Sequence, residues 1–206
     1  MSGKTCVLVS GGVESAALIR WALSRGGRVC PIYVRGGHAW EAAELAALKR
    51  LLAAMRAPRL QPLGVLRVPV ADLYLRASWS LSGRRVPSAS SRDEAVYLPG
   101  RNVLLLAEAA VYCAERGIGR IALGTLASNP FPDATPSFRK AMARAMSLAL
   151  GKRIRVEAPF ARLHKKDVVR RARGVPWELT FSCLAPLGAR ACGRCNKCAE
   201  RDAVLA

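Results

Sequence analysis

The sequence predicts one α/β domain over residues 1–206, doubly wound around a mainly parallel five-stranded sheet with a small zinc-binding appendage near the C-terminus. Three observations predict it. Short apolar runs alternate with helical stretches along the chain, a Ser-Gly-Gly turn follows the first run, and four cysteines crowd into residues 182–199. The length suits a single domain that buries roughly seventy per cent of its unfolded surface. Hydrophobic residues make up 51% of the chain, enough for a proper core. No apolar run approaches the ~20 residues of a membrane span.

The elements follow in order. Strand-like runs are expected at Thr5–Val9, Arg28–Val34, Gly64–Pro69, Arg120–Gly124 and Ile154–Val156. Helices are expected at Glu14–Arg25, His38–Met55, Arg101–Arg116, Ser137–Leu150 and His164–Arg173. Strands and helices alternating at these lengths give parallel pairing with helices on both faces. Sites in such sheets lie beyond the carboxyl ends of the strands. Ser10–Ser15, the Arg35–His38 turn and the Gly124–Asp133 loop all fall on that edge. Tyr74–Tyr97 lacks periodicity and reads as a mobile connection or lid, with Ser82–Arg85 poorly ordered in the absence of ligand.

The cysteines Cys183, Cys192, Cys195 and Cys198 have the spacing C-x8-C-x2-C-x2-C. Two-residue gaps let neighbouring thiolates converge on one tetrahedral zinc, and Gly193 relaxes the knuckle. Disulfides or ordinary buried thiols are the alternative. Nothing resembles a secretory signal, so a reducing, cytoplasmic compartment is expected and disulfides are disfavoured there. Four protein ligands leave no open position, which makes the zinc structural. Cys6, Cys30 and Cys113 fall in strand-like or helical runs and read as packing residues.

Chemistry is expected at the other end. Ser10-Gly11-Gly12-Val13-Glu14-Ser15 joins the first strand to the first helix. Glycines let a backbone approach an anion, helix-start amides point at it, and the dipole favours its charge. Ser10 and Ser15 add hydroxyl donors. The lysine of a Walker loop is absent. A plain tight turn is the bland reading; its place after the first strand of a βα unit favours a phosphate cradle.

Ser-Gly-Gly-Val-Glu-Ser resembles the SGGxDS loop of the PP-loop ATP pyrophosphatases. Leu98-Pro99-Gly100-Arg101-Asn102, then Phe131-Pro132-Asp133, then the cysteine cluster, resemble the 7-cyano-7-deazaguanine synthase family of queuosine-precursor biosynthesis in the right order. His38 and Glu41 match its H-x-x-E pattern, and Lys165 a lysine at the start of a late helix. The resemblance implies an ATP-dependent ligase. It would activate the carboxylate of 7-carboxy-7-deazaguanine as an acyl adenylate, with Mg2+ on the phosphates. Ammonia then makes an amide, and a second activation dehydrates it to a nitrile. It further implies that Ser10, Gly11, Gly12, Val13, Glu14 and Ser15 hold nucleotide, that Arg101, Lys165 and Glu14 serve catalysis, and that Arg101, Asn102, Asp133 and His38 meet the substrate. A homodimer is implied as well.

The chain departs from that pattern in places. Glu14 stands for the loop's aspartate, Val34-Arg35-Gly36-Gly37 for Tyr-Gly-Gln-Arg, and Phe131 for a tyrosine. These changes support ATP activation better than they support the deazapurine. A related enzyme delivering the acyl group to an amine on a protein or nucleic acid, or a non-catalytic zinc-stabilised nucleotide or RNA binder, are the alternatives. The formal charge of +19, from 33 basic and 14 acidic residues, reflects either an arginine-rich codon bias or an acidic partner, protein or nucleic acid. Basic residues such as Arg50, Arg84, Arg144 and Arg171 are scattered, with no stacking platform among them.

Overall fold

A computed structural model describes residues 3–75 and 78–206. Five parallel strands, β1 (Lys4–Leu8), β2 (Arg28–Arg35), β3 (Gly64–Arg67), β4 (Arg120–Ala122) and β5 (Arg155–Glu157), form one sheet in the order β3-β2-β1-β4-β5. Seven helices accompany them among the described residues: α1 (Val13–Ser24), α2 (Glu41–Ala54), α3 (Trp79–Ser82), α4 (Arg101–Glu115), α5 (Pro136–Leu150), α6 (Lys165–Arg171) and α7 (Asn196–Leu205). The chain winds outward from β1 through β2 to β3, then returns to place β4 on β1's other side. The loops after β1 and β4 therefore part from one another, and this switch point is where such sheets leave a crevice.

Period-two alternation in the strands builds a core on each face. In β1, Val7 points to one side with Leu18, Ile19, Leu48 and Leu51, while Cys6 points to the other with Leu106, Ala110, Cys113 and Ile121. Cys6 and Cys113 are sealed from solvent as packing residues, and Cys30 lies against the same core. The first core joins α1, α2 and α6 to the sheet; the second joins α4 and α5. Thr135 caps α5 by accepting from the Phe138 amide at 3.2 Å, and Pro136 opens the helix with its fixed φ.

The structure differs from the sequence expectation in specific ways. α2 begins at Glu41 rather than His38, because Gly36 and Gly37 turn their amides onto the Glu41 carboxylate. The Tyr74–Tyr97 stretch is folded where described, with residues 76 and 77 outside the described residues. α3 ends at a left-handed Gly83, so Ser82–Arg85 follows a defined turn. Further on, the Ala89 amide donates to the Arg194 carbonyl at 3.0 Å and the Asn196 amide to that of Pro87 at 2.9 Å. The expected lid is therefore stitched to the cysteine module. That module also carries a helix the sequence left unassigned, α7, with Cys195 at its N-cap.

Candidate active site

The turn after β1 is a tight glycine bend that opens onto the start of α1. Gly11 adopts φ +83°, a region an L side chain rarely enters, and a Cβ there would sit 3.3 Å from that of Leu48. Gly12 caps α1 without any side-chain bond, leaving the first-turn amides to a ligand. The Ser10 amide donates to Ser15 Oγ at 2.9 Å, and the two hydroxyls lie 3.1 Å apart, which closes the loop on itself. Gly124, at the end of β4, approaches so near that a Cβ would meet that of Glu14 at 2.9 Å.

Two adjoining clefts open over the switch point. One, of about 260 Å³, is lined by Ser10, Gly12, Glu14, Glu44, Arg101 and Lys165 together with Trp40, Trp79 and Phe131. The second, of about 250 Å³, shares Ser10, Glu14, Arg101 and Phe131 and adds Ser15, Asn102 and Asp133. Gly11 and Val13 support the turn from behind: Val13 is fully buried in the core, and the Gly11 carbonyl accepts from the Phe181 amide at 2.9 Å. A larger groove of about 940 Å³ lies apart, between Trp21 on α1 and Arg171 on α6, and holds none of the predicted residues.

Arg101 is the first residue of α4, behind a left-handed Gly100. It lines both clefts, and its guanidinium makes no hydrogen bond or ion pair among the described residues. Lys165 opens α6 and is gripped on two sides, by Glu14 Oε1 at 2.8 Å and Glu200 Oε1 at 2.7 Å. Burial alone would depress this ammonium; the two carboxylates outweigh it and hold its pKa above the usual value. Glu200 comes from α7 and pairs with Lys197 one turn back, so a piece of the cysteine module reaches the cleft. Neither Glu200 nor Lys197 was anticipated from the sequence; polar residues on an amphipathic C-terminal helix give no signal of a shared site.

Asp133 and Asn102 clasp each other. The Asn102 amide donates to Asp133 Oδ2 at 2.9 Å, and Asn102 Nδ2 donates to the Asp133 carbonyl at 3.0 Å. This fastens the first turn of α4 and leaves Asp133 Oδ1 sealed from solvent without a partner, in a residue that lines the second cleft. Tyr97 stacks on Phe131 at 4.9 Å beside it. His38 lines neither cleft. Its ring stacks on Trp40 at 4.6 Å, and burial, with the Arg101 charge, pushes its pKa down to about 4, so it is a neutral imidazole.

The cysteine cluster fits a tetrahedral ion. All four sulfurs lie within 4.8 Å of one another, with Cys195–Cys198 at 3.5 Å and Cys192–Cys198 at 3.9 Å. Zinc–sulfur bonds of ~2.3 Å in a tetrahedron put the sulfurs about 3.8 Å apart. The Leu184 amide donates to Cys195 Sγ and the Cys192 amide to Cys183 Sγ, as expected of thiolate ligands. All seven cysteines are free thiols.

A parallel sheet with a glycine cradle at its switch point defines a PP-loop-type α/β protein. Residues 4–206 match the family described as "Queuosine biosynthesis protein QueC", and the chain belongs to that family. A 7-cyano-7-deazaguanine synthase 1 of Desulfitobacterium hafniense is 31% identical, over 98% of this chain and 91% of the relative. One from Xanthomonas campestris pv. campestris is 35% identical over 98% and 93%. Solved structures share the fold at lower identity. A predicted tRNA methyltransferase subunit from Methanocaldococcus jannaschii superposes with TM-score 0.52 at 15% identity, covering 82% of this chain and 74% of that one. A 4-thiouridine synthetase in complex with RNA and ATP gives 0.50 at 19%, covering 92% and 47%.

Proposed function

We propose that this chain is an ATP-dependent C–N ligase that converts 7-carboxy-7-deazaguanine to the nitrile through an adenylate and an amide. The observation that carries the reading is Arg101. Among the described residues its guanidinium has no protein partner, and it is shared by a cleft lined by the glycine turn and one lined by Asp133. Nucleotide phosphates suit the first cleft, where the amides of α1 and the hydroxyl of Ser10 supply donors, with Ser15 bonded to Ser10 from the second cleft. Asp133 Oδ1 suits the ring N–H and amino groups of a guanine-like base in the second. Where the clefts meet, the Arg101 fork neutralises carboxylate and α-phosphate as they approach. Lys165 adds a fixed charge on the pyrophosphate side, held by Glu14.

A carboxylate resists ammonia because its oxygen is a poor leaving group. Transfer of AMP to that oxygen removes the difficulty, and the cradle retains the pyrophosphate it releases. Mg2+, with Glu14 as the carboxylate in reach, would supply charge neutralisation on the phosphates. Zinc held by Cys183, Cys192, Cys195 and Cys198 would supply scaffolding, since no ligand position stays open. Protein, Mg-ATP, ammonium and 7-carboxy-7-deazaguanine together should give AMP and pyrophosphate, with amide appearing before nitrile by mass spectrometry. ATP binding with no pyrophosphate release in the presence of this acid would refute the ligase reading.

One observation supports a second acceptor. A charge of +19 exceeds what small anions require, and four arginines (Arg20, Arg59, Arg171, Arg173) ring the remote groove. An acidic partner, protein or nucleic acid, offering an amine would leave the product at the amide stage. The homodimer implied by the family resemblance is tested by light scattering.

A further inference from the structure

Glu44 is a buried carboxylate that none of the steps above uses. It sits on α2 one turn after Trp40, only 9% exposed, and lines the same cleft as Ser10, Arg101 and Lys165. Tyr33, on β2, donates its phenol to Glu44 Oε2 at 2.7 Å. Oε1 takes no hydrogen bond among the described residues. Trp40 and Trp79, stacked at 5.6 Å, wall the cleft beside it. A largely buried carboxylate with one oxygen left open to the cleft, next to an arginine placed for the reacting acid, is arranged to receive a proton from something in the cleft.

We propose that Glu44 is the proton acceptor for the nitrogen nucleophile, a role that rests on the ligase reading. In amide formation the ammonia lone pair makes the C–N bond while the C–O bond to AMP breaks. The bonding pair leaves on the phosphate oxygen, and one N–H proton passes to Glu44 Oε1. In the dehydration the amide oxygen attacks the α-phosphorus and pyrophosphate leaves; one N–H proton passes to Glu44 and on to water, and the last N–H proton follows the same route as the C–O bond to AMP breaks and the nitrile bond completes. Each turnover ends with Glu44 returning its proton to water.

The environment suits that work. Burial pushes the Glu44 carboxyl up to about 7, against the pull of the Tyr33 hydrogen bond and the Arg101 charge, with Glu41 on its own helix pushing upward. Glu14, Asp93 and Lys165 face it across the cleft. An acceptor must be ionised, so acyl transfer rises as pH climbs through about 7.

The test uses zinc-loaded protein and compares wild type with Glu44→Gln and Tyr33→Phe at constant free ammonia. In wild type, single-turnover amide formation should bend near neutral pH. Glu44→Gln should slow that step by about 30-fold or more and abolish the bend, within the range of a lost general base. It should keep zinc and carboxylate-dependent ATP–pyrophosphate exchange. Tyr33→Phe, which removes a bond favouring the ionised form, should move the bend to higher pH. Amide formation within two-fold of wild type in Glu44→Gln, or loss of exchange in that variant, overturns the role, as does an unmoved bend in Tyr33→Phe. Absence of carboxylate-dependent exchange in wild type would instead sink the ligase reading itself.

Discussion

Lys165 lies between two carboxylates, Glu14 at 2.8 Å and Glu200 at 2.7 Å, with a tenth of its side chain exposed. Deleting the ammonium leaves both acids facing each other across a partly buried gap. Lys165→Gln should therefore lower kcat/KM for ATP by about 100-fold, ~2.7 kcal/mol of transition-state binding. It should also cost about 2 kcal/mol of stability, less than a fully buried pair because both acids keep some solvent. Denaturant melts alongside pyrophosphate release check both. Glu44 gives a pH signature. Its folded pKa is raised, so protonation favours the fold: that contribution is full below the ordinary carboxylate range and lost as pH rises through about 7. Glu44→Gln should accordingly melt close to wild type at pH 5 and above it at pH 8, by an amount near 3 kcal/mol if the whole shift is expressed. A variant less stable at pH 8 would mean that the ionised carboxylate stabilises the fold.

α7 ties the cysteine cluster, the Tyr74–Tyr97 stretch and the cleft together. Cys195 caps it, Cys198 lies in its first turn, Asn196 bonds the Ser91 carbonyl at 2.9 Å, and Glu200 holds Lys165. Cys195→Ser should then lose zinc, lower the melting temperature by about 10 °C or more, and weaken ATP turnover. Stoichiometric zinc with unchanged melting would contradict that linkage. At the opposite wall, Gly124→Ala places a methyl 2.9 Å from Glu14 Cβ; the backbone must give way, at a cost of about 1–3 kcal/mol and most of the nucleotide affinity. Five strands and the helices of the βα units could be read in advance because period-two and period-3.6 patterns are local. The cysteine spacing and the Ser-Gly-Gly turn were readable for the same reason. α3, the Glu14–Lys165–Glu200 chain and the Tyr33–Glu44 bond were not, since each depends on segments far apart in sequence. His38 is the converse: the motif was visible, and the ring stacks on Trp40 outside the lining of both clefts.

The whole molecule combines two small clefts over the switch point with a formal charge of +19. No helix among the described residues is long and apolar enough to cross a membrane. If the +19 charge serves an acidic macromolecule, RNA binding should fall steeply between about 50 and 200 mM salt, while turnover of the small substrate changes little. A shallow salt dependence would assign the charge to composition alone. The proposed ligase reading requires that AMP, and not phosphate, be joined to the substrate oxygen. Mg-ATP and ammonium should therefore be supplied with 7-carboxy-7-deazaguanine labelled with oxygen-18 in its carboxylate, and the nucleotide and phosphate products weighed. The label should appear in AMP, with unlabelled pyrophosphate; label in inorganic phosphate accompanied by ADP, or none released at all, would contradict adenylation at this site.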